Sequence, residues 1–225
     1  MPLSSVVGAQ SIVKPGVCTS STRPASPCDV QVIYETDTDK TLVWNGSAWV
    51  FLSTSRSNPG GLDLVKAQTA FTTSSAVNVD SVFSTTYDEY QINIAVTSAS
   101  ANTGLNFRLR GGGTTQSGSD YYGYTTGTSP SNTSDNYASS GATAHVLIGL
   151  YGASLYHFAM VRISGVALAQ KTVWRSEGYG FTTSGGNVTY QGGCNHNLAT
   201  AYDGFTLLPG SGTMTGWYSV YGYVK

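Results

Sequence analysis

The stretch Lys40-Thr41-Leu42-Val43-Trp44-Asn45-Gly46-Ser47-Ala48-Trp49-Val50-Phe51 contains the sharpest fold signal in the chain, an Asn-Gly pair between two runs of β-favouring residues. Asn45 and Gly46 both accept positive φ, so they predict a type I′ turn that sets the register of a hairpin. Residues 30–35 alternate in strand fashion and precede a polar turn at 36–39, which adds a third strand. The sequence therefore predicts a three-stranded β-meander over residues 30–53, too small to be stable without further packing.

The segments on both sides of the meander are irregular by composition. Residues 1–29 contain four prolines, which remove backbone donors and fix φ, so we expect an extended N-terminal arm pinned on a partner or on its own domain. The arm starts without a basic flank or a long apolar run, so neither a secretory signal nor membrane insertion is expected. Residues 54–61 are rich in Ser, Asn, Pro and Gly and predict a linker.

Residues 62–225 carry many short β-type runs separated by Gly, Ser, Asn and Thr. Alternation is clearest in Tyr90–Val96 and in Trp217–Tyr223. Short strands at this spacing predict an all-β fold, here a jelly-roll-like β-sandwich. The predicted strands are Leu62–Phe71, Tyr90–Val96, Leu105–Leu109, Tyr121–Thr126, His145–Leu150, Leu155–Ile163, Thr172–Gly180, Asn187–Gln191, Gly204–Leu208 and Gly216–Val224.

The composition restricts the partners. Charged residues make up 10 % of the chain, against about 25 % in ordinary soluble domains, and the net charge is −1 with scattered Lys and Arg. Nucleic-acid binding needs clustered cations and is therefore not expected. Fifteen Tyr and four Trp exceed the aromatic surface that one sandwich buries comfortably, which predicts a homo-oligomer.

No catalytic, cofactor-binding or metal-binding residues are predicted. The alternate acids Glu35, Asp37 and Asp39 lack the Gly and distal Glu of a calcium loop, and the three histidines lie far apart in sequence. Gly111-Gly112-Gly113 lacks the Lys-Ser/Thr of a phosphate loop, and we expect it to end a strand in a turn.

Tyrosines form the one unusual functional pattern. Tyr121, Tyr122, Tyr124 and Tyr137 flank a predicted loop, Gly127–Gly141, that is rich in Ser, Asn and Thr. Aromatic faces beside hydroxyl and amide groups suit sugar rings, and they also suit the seam between subunits. Both hypotheses remain open at the level of sequence.

Three cysteines, Cys18, Cys28 and Cys194, cannot all pair within one chain. Cys18 and Cys28 bracket a short Pro-containing loop, and a disulfide between them is one hypothesis. Three free thiols in a reducing cytosol are the other.

Residues 32–50 resemble a short module of tail and minor structural proteins of tailed bacteriophages. The later order resembles the C-terminal β-sandwich of phage tail-fibre, minor tail and capsid-decoration proteins. This order comprises Gly61-Leu62, Phe83–Tyr90, Leu105–Arg110, Ser119–Tyr122, Gly212–Gly216 and Tyr221–Tyr223. The resemblance covers about residues 30–225. It implies a structural protein of the virion, assembled in the host cytoplasm and trimeric or otherwise oligomeric. Neither pattern contains catalytic residues.

The function expected from these observations is non-enzymatic. A tail-associated fibre or adhesin-type protein would dock to other virion proteins through residues 1–60 and present the sandwich, with a host-surface glycan as one partner. The alternatives are a capsid decoration protein and, in another class, a carbohydrate-binding module or polysaccharide depolymerase. A depolymerase needs paired carboxylates in a groove, whereas Asp88 and Glu89 are adjacent strand positions that point to opposite faces.

Overall fold

The computed structural model describes residues 15–52, 61–130, 134–151, 155–182 and 186–224, and all of its regular elements are strands. The predicted all-β class is confirmed. The chain divides into two compact units, residues 1–58 and 59–225. Residues 1–14 of the predicted arm and residues 54–60 of the predicted linker lie outside the described residues.

The N-terminal unit is a four-stranded sheet in the order β1-β2-β3-β4. Its strands are β1 (Gly16–Cys18), β2 (Val32–Glu35), β3 (Lys40–Trp44) and β4 (Trp49–Phe51). Strands β2, β3 and β4 are the predicted antiparallel meander. Strand β1 comes from the segment predicted as an extended arm and pairs in parallel with β2, so part of this segment belongs to the sheet. Its edge position tolerates the neighbouring prolines, because an edge strand leaves half of its backbone donors unpaired.

The β3–β4 turn differs from the predicted type I′ turn. Trp44 pairs with Trp49, and the N–H of Asn45 donates to the carbonyl of Ala48, so Gly46 and Ser47 are the central turn residues. Gly46 has a φ of 94°, whereas Ser47 is not among the residues with positive φ. A type I′ turn would need positive φ at both central residues, so the turn is of another kind. The Asn45 side chain accepts the N–H of Ala48 at 2.8 Å and so closes the turn.

The C-terminal unit contains two antiparallel sheets. The larger has eight strands in the order β11-β10-β15-β14-β13-β7-β17-β5, and the smaller has the order β12-β8-β16-β6, with β9 paired to β8. Its strands are β5 (Leu62–Ser74), β6 (Val77–Val79), β7 (Glu89–Ala99), β8 (Thr103–Gly111), β9 (Thr114–Thr115), β10 (Tyr121–Thr128), β11 (Ser134–Ala142), β12 (His145–Leu150), β13 (His157–Ser164), β14 (Thr172–Phe181), β15 (Asn187–His196), β16 (Gly204–Pro209) and β17 (Met214–Tyr223).

The two sheets pack face to face around one aromatic and aliphatic core. Phe107 of β8 lies 5.6 Å from Trp174 of β14, measured between ring centroids, and Phe205 of β16 lies 5.8 Å from Tyr218 of β17. Each pair joins the smaller sheet to the larger one, as in a β-sandwich. The jelly-roll-like arrangement of the strands stays a prediction.

All ten predicted strands overlap observed strands, but the predicted loop Gly127–Gly141 is wrong in its second half. This half forms β11, which pairs antiparallel with β10, for example Tyr137 opposite Thr125. Its Ser, Asn and Asp residues have weak strand propensity, yet pairing with a neighbouring strand outweighs propensity at this edge.

Candidate functional site

The N-terminal sheet buries one face within its own unit. Ile33 and Leu42 are opposite each other on β2 and β3 and are both buried, and Glu35 on the same face is fully buried. Arg23, from the segment between β1 and β2, donates to the Glu35 carboxylate, and the Thr38 hydroxyl donates to it at 2.7 Å. These hydrogen bonds, the one from Arg23 foremost, hold the pKa of Glu35 below its usual value. The ion pair fastens this segment across the face.

The opposite face of the same sheet carries four valines beside Tyr34 and Thr41. Val32, Val43 and Val50 form a row across β2, β3 and β4, and Val17 of β1 lies beside Tyr34 in the next row. Val17 is 70 % exposed, and Val50 is also exposed. We call Val17, Val32, Val43 and Val50 the valine face. Val32 and Val43, on the two central strands, are half-buried, so the exposed valines lie on the two edge strands. Exposed apolar side chains on one sheet face suit an interaction surface.

The four tyrosines predicted as a glycan or interface cluster do not form one surface. Tyr121 is fully buried between the sheets, where its hydroxyl accepts the N–H of Leu109 at 2.9 Å and donates to the carbonyl of Gln116 at 2.8 Å. Burial raises its pKa well above the usual value. Tyr121 is therefore a core residue, because successive residues of a strand point to opposite faces.

Tyr137 also faces inward. Its hydroxyl lies 3.4 Å from that of Tyr151, and Asp135 accepts hydrogen bonds from Tyr151 and, at 3.1 Å, from Tyr190. Burial is the main cause that raises the pKa of Tyr137. This half-buried side chain belongs to a polar network that links β11 to β15 and to Tyr151 after β12.

Tyr122 and Tyr124 lie on the outer face of the larger sheet and are 41 % and 48 % exposed. Tyr124 is opposite Gly193 of β15, which in turn is opposite Arg175 of β14. Further along β14 on this face lies Tyr179, which is 43 % exposed. Tyr179 was not among the predicted site residues, although the alternation of residues 173–179 around the buried Trp174 places it on the outer face.

The remaining candidates for chemistry are dispersed. Cys18, Cys28 and Cys194 are all free thiols, so the structure contains no bridge between Cys18 and Cys28. Within the described ranges, no three His, Cys, Asp or Glu side chains come together as metal ligands. His145 and His157 are buried core residues of the sandwich. Over the same part of the chain, no helix has the length and apolarity of a membrane span.

Comparison of the chain with protein-family models, with curated proteins and with solved structures finds no match. The valine face of the N-terminal unit and the outer sheet face of the C-terminal unit are the surfaces that stand out.

Proposed function

We propose that this protein is a non-enzymatic structural component of a bacteriophage particle, of the tail-associated fibre or adhesin type. Its N-terminal unit docks to another virion protein, and its β-sandwich is presented for contact with the host. The protein acts in the virion after assembly in the host cytoplasm. The single observation that carries the proposal is the valine face.

A four-stranded sheet that is apolar on both faces suits a docking module. One face is closed by the Arg23 segment, whereas Val17 and Val50 on the other remain exposed. Full burial of an exposed valine side chain contributes about 1.5 kcal/mol, so covering Val17 and Val50 favours association with a partner but supplies only part of its free energy. Leu52 is exposed just after β4, whereas the exposed Phe51 is opposite Leu42 and belongs to the other face of the sheet.

The outer face of the β-sandwich supports the second part of the proposal, contact with the host. Trp217, Tyr221 and Tyr223 alternate along β17 and are half-buried on the outer face, while Tyr218 and Val220 point into the core. Aromatic residues on an outer sheet face suit contacts with other molecules. We extend the proposal to a homo-oligomer, with three copies as the expected number.

A substitution on the valine face tests the docking proposal. Particles are assembled with the Val17→Asp chain in place of the wild type and purified, and the amount of the chain per particle is measured by mass spectrometry. We expect Val17→Asp to remain folded but to be lost from particles, because a carboxylate cannot be buried unpaired at an apolar contact. Val173→Asp, on an exposed position of the sandwich, is the matched control and should incorporate normally.

Two results would contradict the proposal. One is normal incorporation of the Val17→Asp chain. The other is absence of the wild-type chain from purified particles.

A further inference from the structure

A shallow groove crosses β13, β14 and β15 on the outer face of the larger sheet. It consists of two adjoining depressions of about 360 and 310 Å³ that share Glu177 and Gln191. The first is walled by Phe158, Met160 and Tyr179. This groove contains none of the four tyrosines singled out from the sequence.

Polar side chains occupy the centre of the groove. Glu177 and Gln191 are opposite each other on β14 and β15, and Arg175 lies two residues before Glu177 on the same face. All three side chains are exposed, and among the described residues none of them takes part in a hydrogen bond or an ion pair. A carboxylate accepts hydrogen bonds, a guanidinium donates them, and an amide does both. Together they match the paired donors and acceptors of neighbouring hydroxyl groups.

Aromatic side chains form one side of the groove. Tyr179 is opposite Phe158 on β13 and is 43 % exposed. The ring of Phe181 lies 6.0 Å from that of Tyr179 in an edge-to-face arrangement and helps to fix its orientation. An exposed, oriented ring offers a flat apolar face against which the C–H face of a pyranose can pack.

We infer that this groove binds a neutral oligosaccharide of two or three sugar units, which stacks on Tyr179 and hydrogen-bonds to Glu177, Gln191 and Arg175. The inference rests on the proposed adhesin role and names its ligand class. The centre of a protein interface is depleted of charged residues, whereas this centre contains a carboxylate and a guanidinium.

Binding is tested on the full chain with glucose, galactose and N-acetylglucosamine trisaccharides as probes. Saturation-transfer NMR detects contact with the sugar, and calorimetry gives the affinity. We expect at least one probe to bind, and we expect Tyr179→Ala and Gln191→Ala each to weaken that binding by about tenfold, equivalent to about 1.4 kcal/mol. Tyr156→Ala is the matched control, since Tyr156 is 47 % exposed and lies outside the groove.

The inference is overturned if no probe binds at millimolar concentration, or if the Tyr179 and Gln191 variants bind as the wild type does. It is also overturned if Tyr179→Ala changes the sedimentation of the protein, because the face would then be a contact between copies. Incorporation into particles is measured separately on the same variants. Normal incorporation without sugar binding rejects this inference alone, whereas sugar binding by a chain that is absent from particles rejects the virion role alone.

Discussion

Acidification should destabilise the sandwich through His145, a buried histidine of β12. The side chain is fully buried; its Nε2 lies 3.2 Å from the Thr125 hydroxyl and its ring 5.8 Å from that of Trp174. The Thr125 hydroxyl donates to the carbonyl of Val146, so Nε2 is the ring nitrogen that carries the proton of the neutral imidazole. Burial, with no compensating acidic neighbour, lowers the pKa of His145 from 6.5 to about 4.

The sign of the effect follows from the proton count in the two states. Above pH 6.5 the imidazole is neutral in both, and its contribution to stability is fully present. As the pH falls below 6.5, His145 becomes protonated in the unfolded chain, whereas in the folded chain it stays neutral until about pH 4. The free energy of unfolding therefore decreases between pH 6.5 and pH 4. The full loss is about 3 kcal/mol, and about 2 kcal/mol of it is reached at pH 5.

Urea unfolding of the full chain at pH 8 and pH 5 measures this loss. In His145→Gln the decrease in unfolding free energy between the two pH values should be about 2 kcal/mol smaller than in the wild type. Thr125→Val, which removes the hydroxyl but keeps the imidazole, is the control and should retain the pH dependence. An equal decrease in the wild type and His145→Gln would refute the reasoning. The buried His157 and His196, whose pKa values are also lowered by burial, do not change in this comparison.

Three further predictions concern the core, the turn and the assembly. Tyr121→Phe leaves the N–H of Leu109 unpaired and should lower the free energy of unfolding by about 1–3 kcal/mol. Tyr122→Phe is the control and should change it little, so equal losses for the two variants in urea titrations would contradict the inward position of Tyr121. Gly46→Val forces a β-branched residue to positive φ and should cost the N-terminal unit about 1–3 kcal/mol. Backbone hydrogen exchange over residues 40–51 should be faster in Gly46→Val than in the control Ala48→Val. Equal protection in the two variants would contradict the expected strain at Gly46. Sedimentation equilibrium at micromolar concentration should give three times the chain mass of 23.6 kDa, and a monomer would reject the oligomer.

The predictable part of the fold is the part that local alternation encodes. Tyr90–Val96 has apolar residues at every second position, and β7 buries that set. In β17 both faces are apolar, and the structure buries Tyr218 and Val220 while Trp217, Tyr221 and Tyr223 are half-buried. The strands β1, β6, β9 and β11 were not predicted, because their own sequences carry no clear strand pattern. Backbone pairing with a neighbouring strand defines them. Gly16–Cys18, for example, has three residues and no pattern of its own, and it is defined by its pairing with Ile33, Tyr34 and Glu35.

The candidate sites were less predictable than the fold, because residues that are close in sequence need not lie on the same surface. Tyr121 and Tyr122 are neighbours in the chain, yet one is in the core and the other on the outer face. The groove at Glu177 and Gln191 joins two strands whose register no single sequence reveals. Part of the valine face could be predicted, because β2 and β3 have apolar residues on both faces. The position of Val17 could not, because it depends on the parallel pairing of β1 with β2, which was not predicted.

The aromatic content is a weaker argument for an oligomer than the valine face is for docking. Much of it is buried within the sandwich, including Tyr90, Tyr121, Tyr190 and Trp174. On the outer face, Tyr223 already has partners in its own chain: Arg162 lies 5.6 Å from its ring centroid, and its hydroxyl donates to Gln91 at 3.1 Å. Exposed valine side chains have no polar group that could form a hydrogen bond, so only an apolar contact removes them from water. We therefore place the proposed docking contact on the N-terminal sheet and the proposed sugar contact on the sandwich.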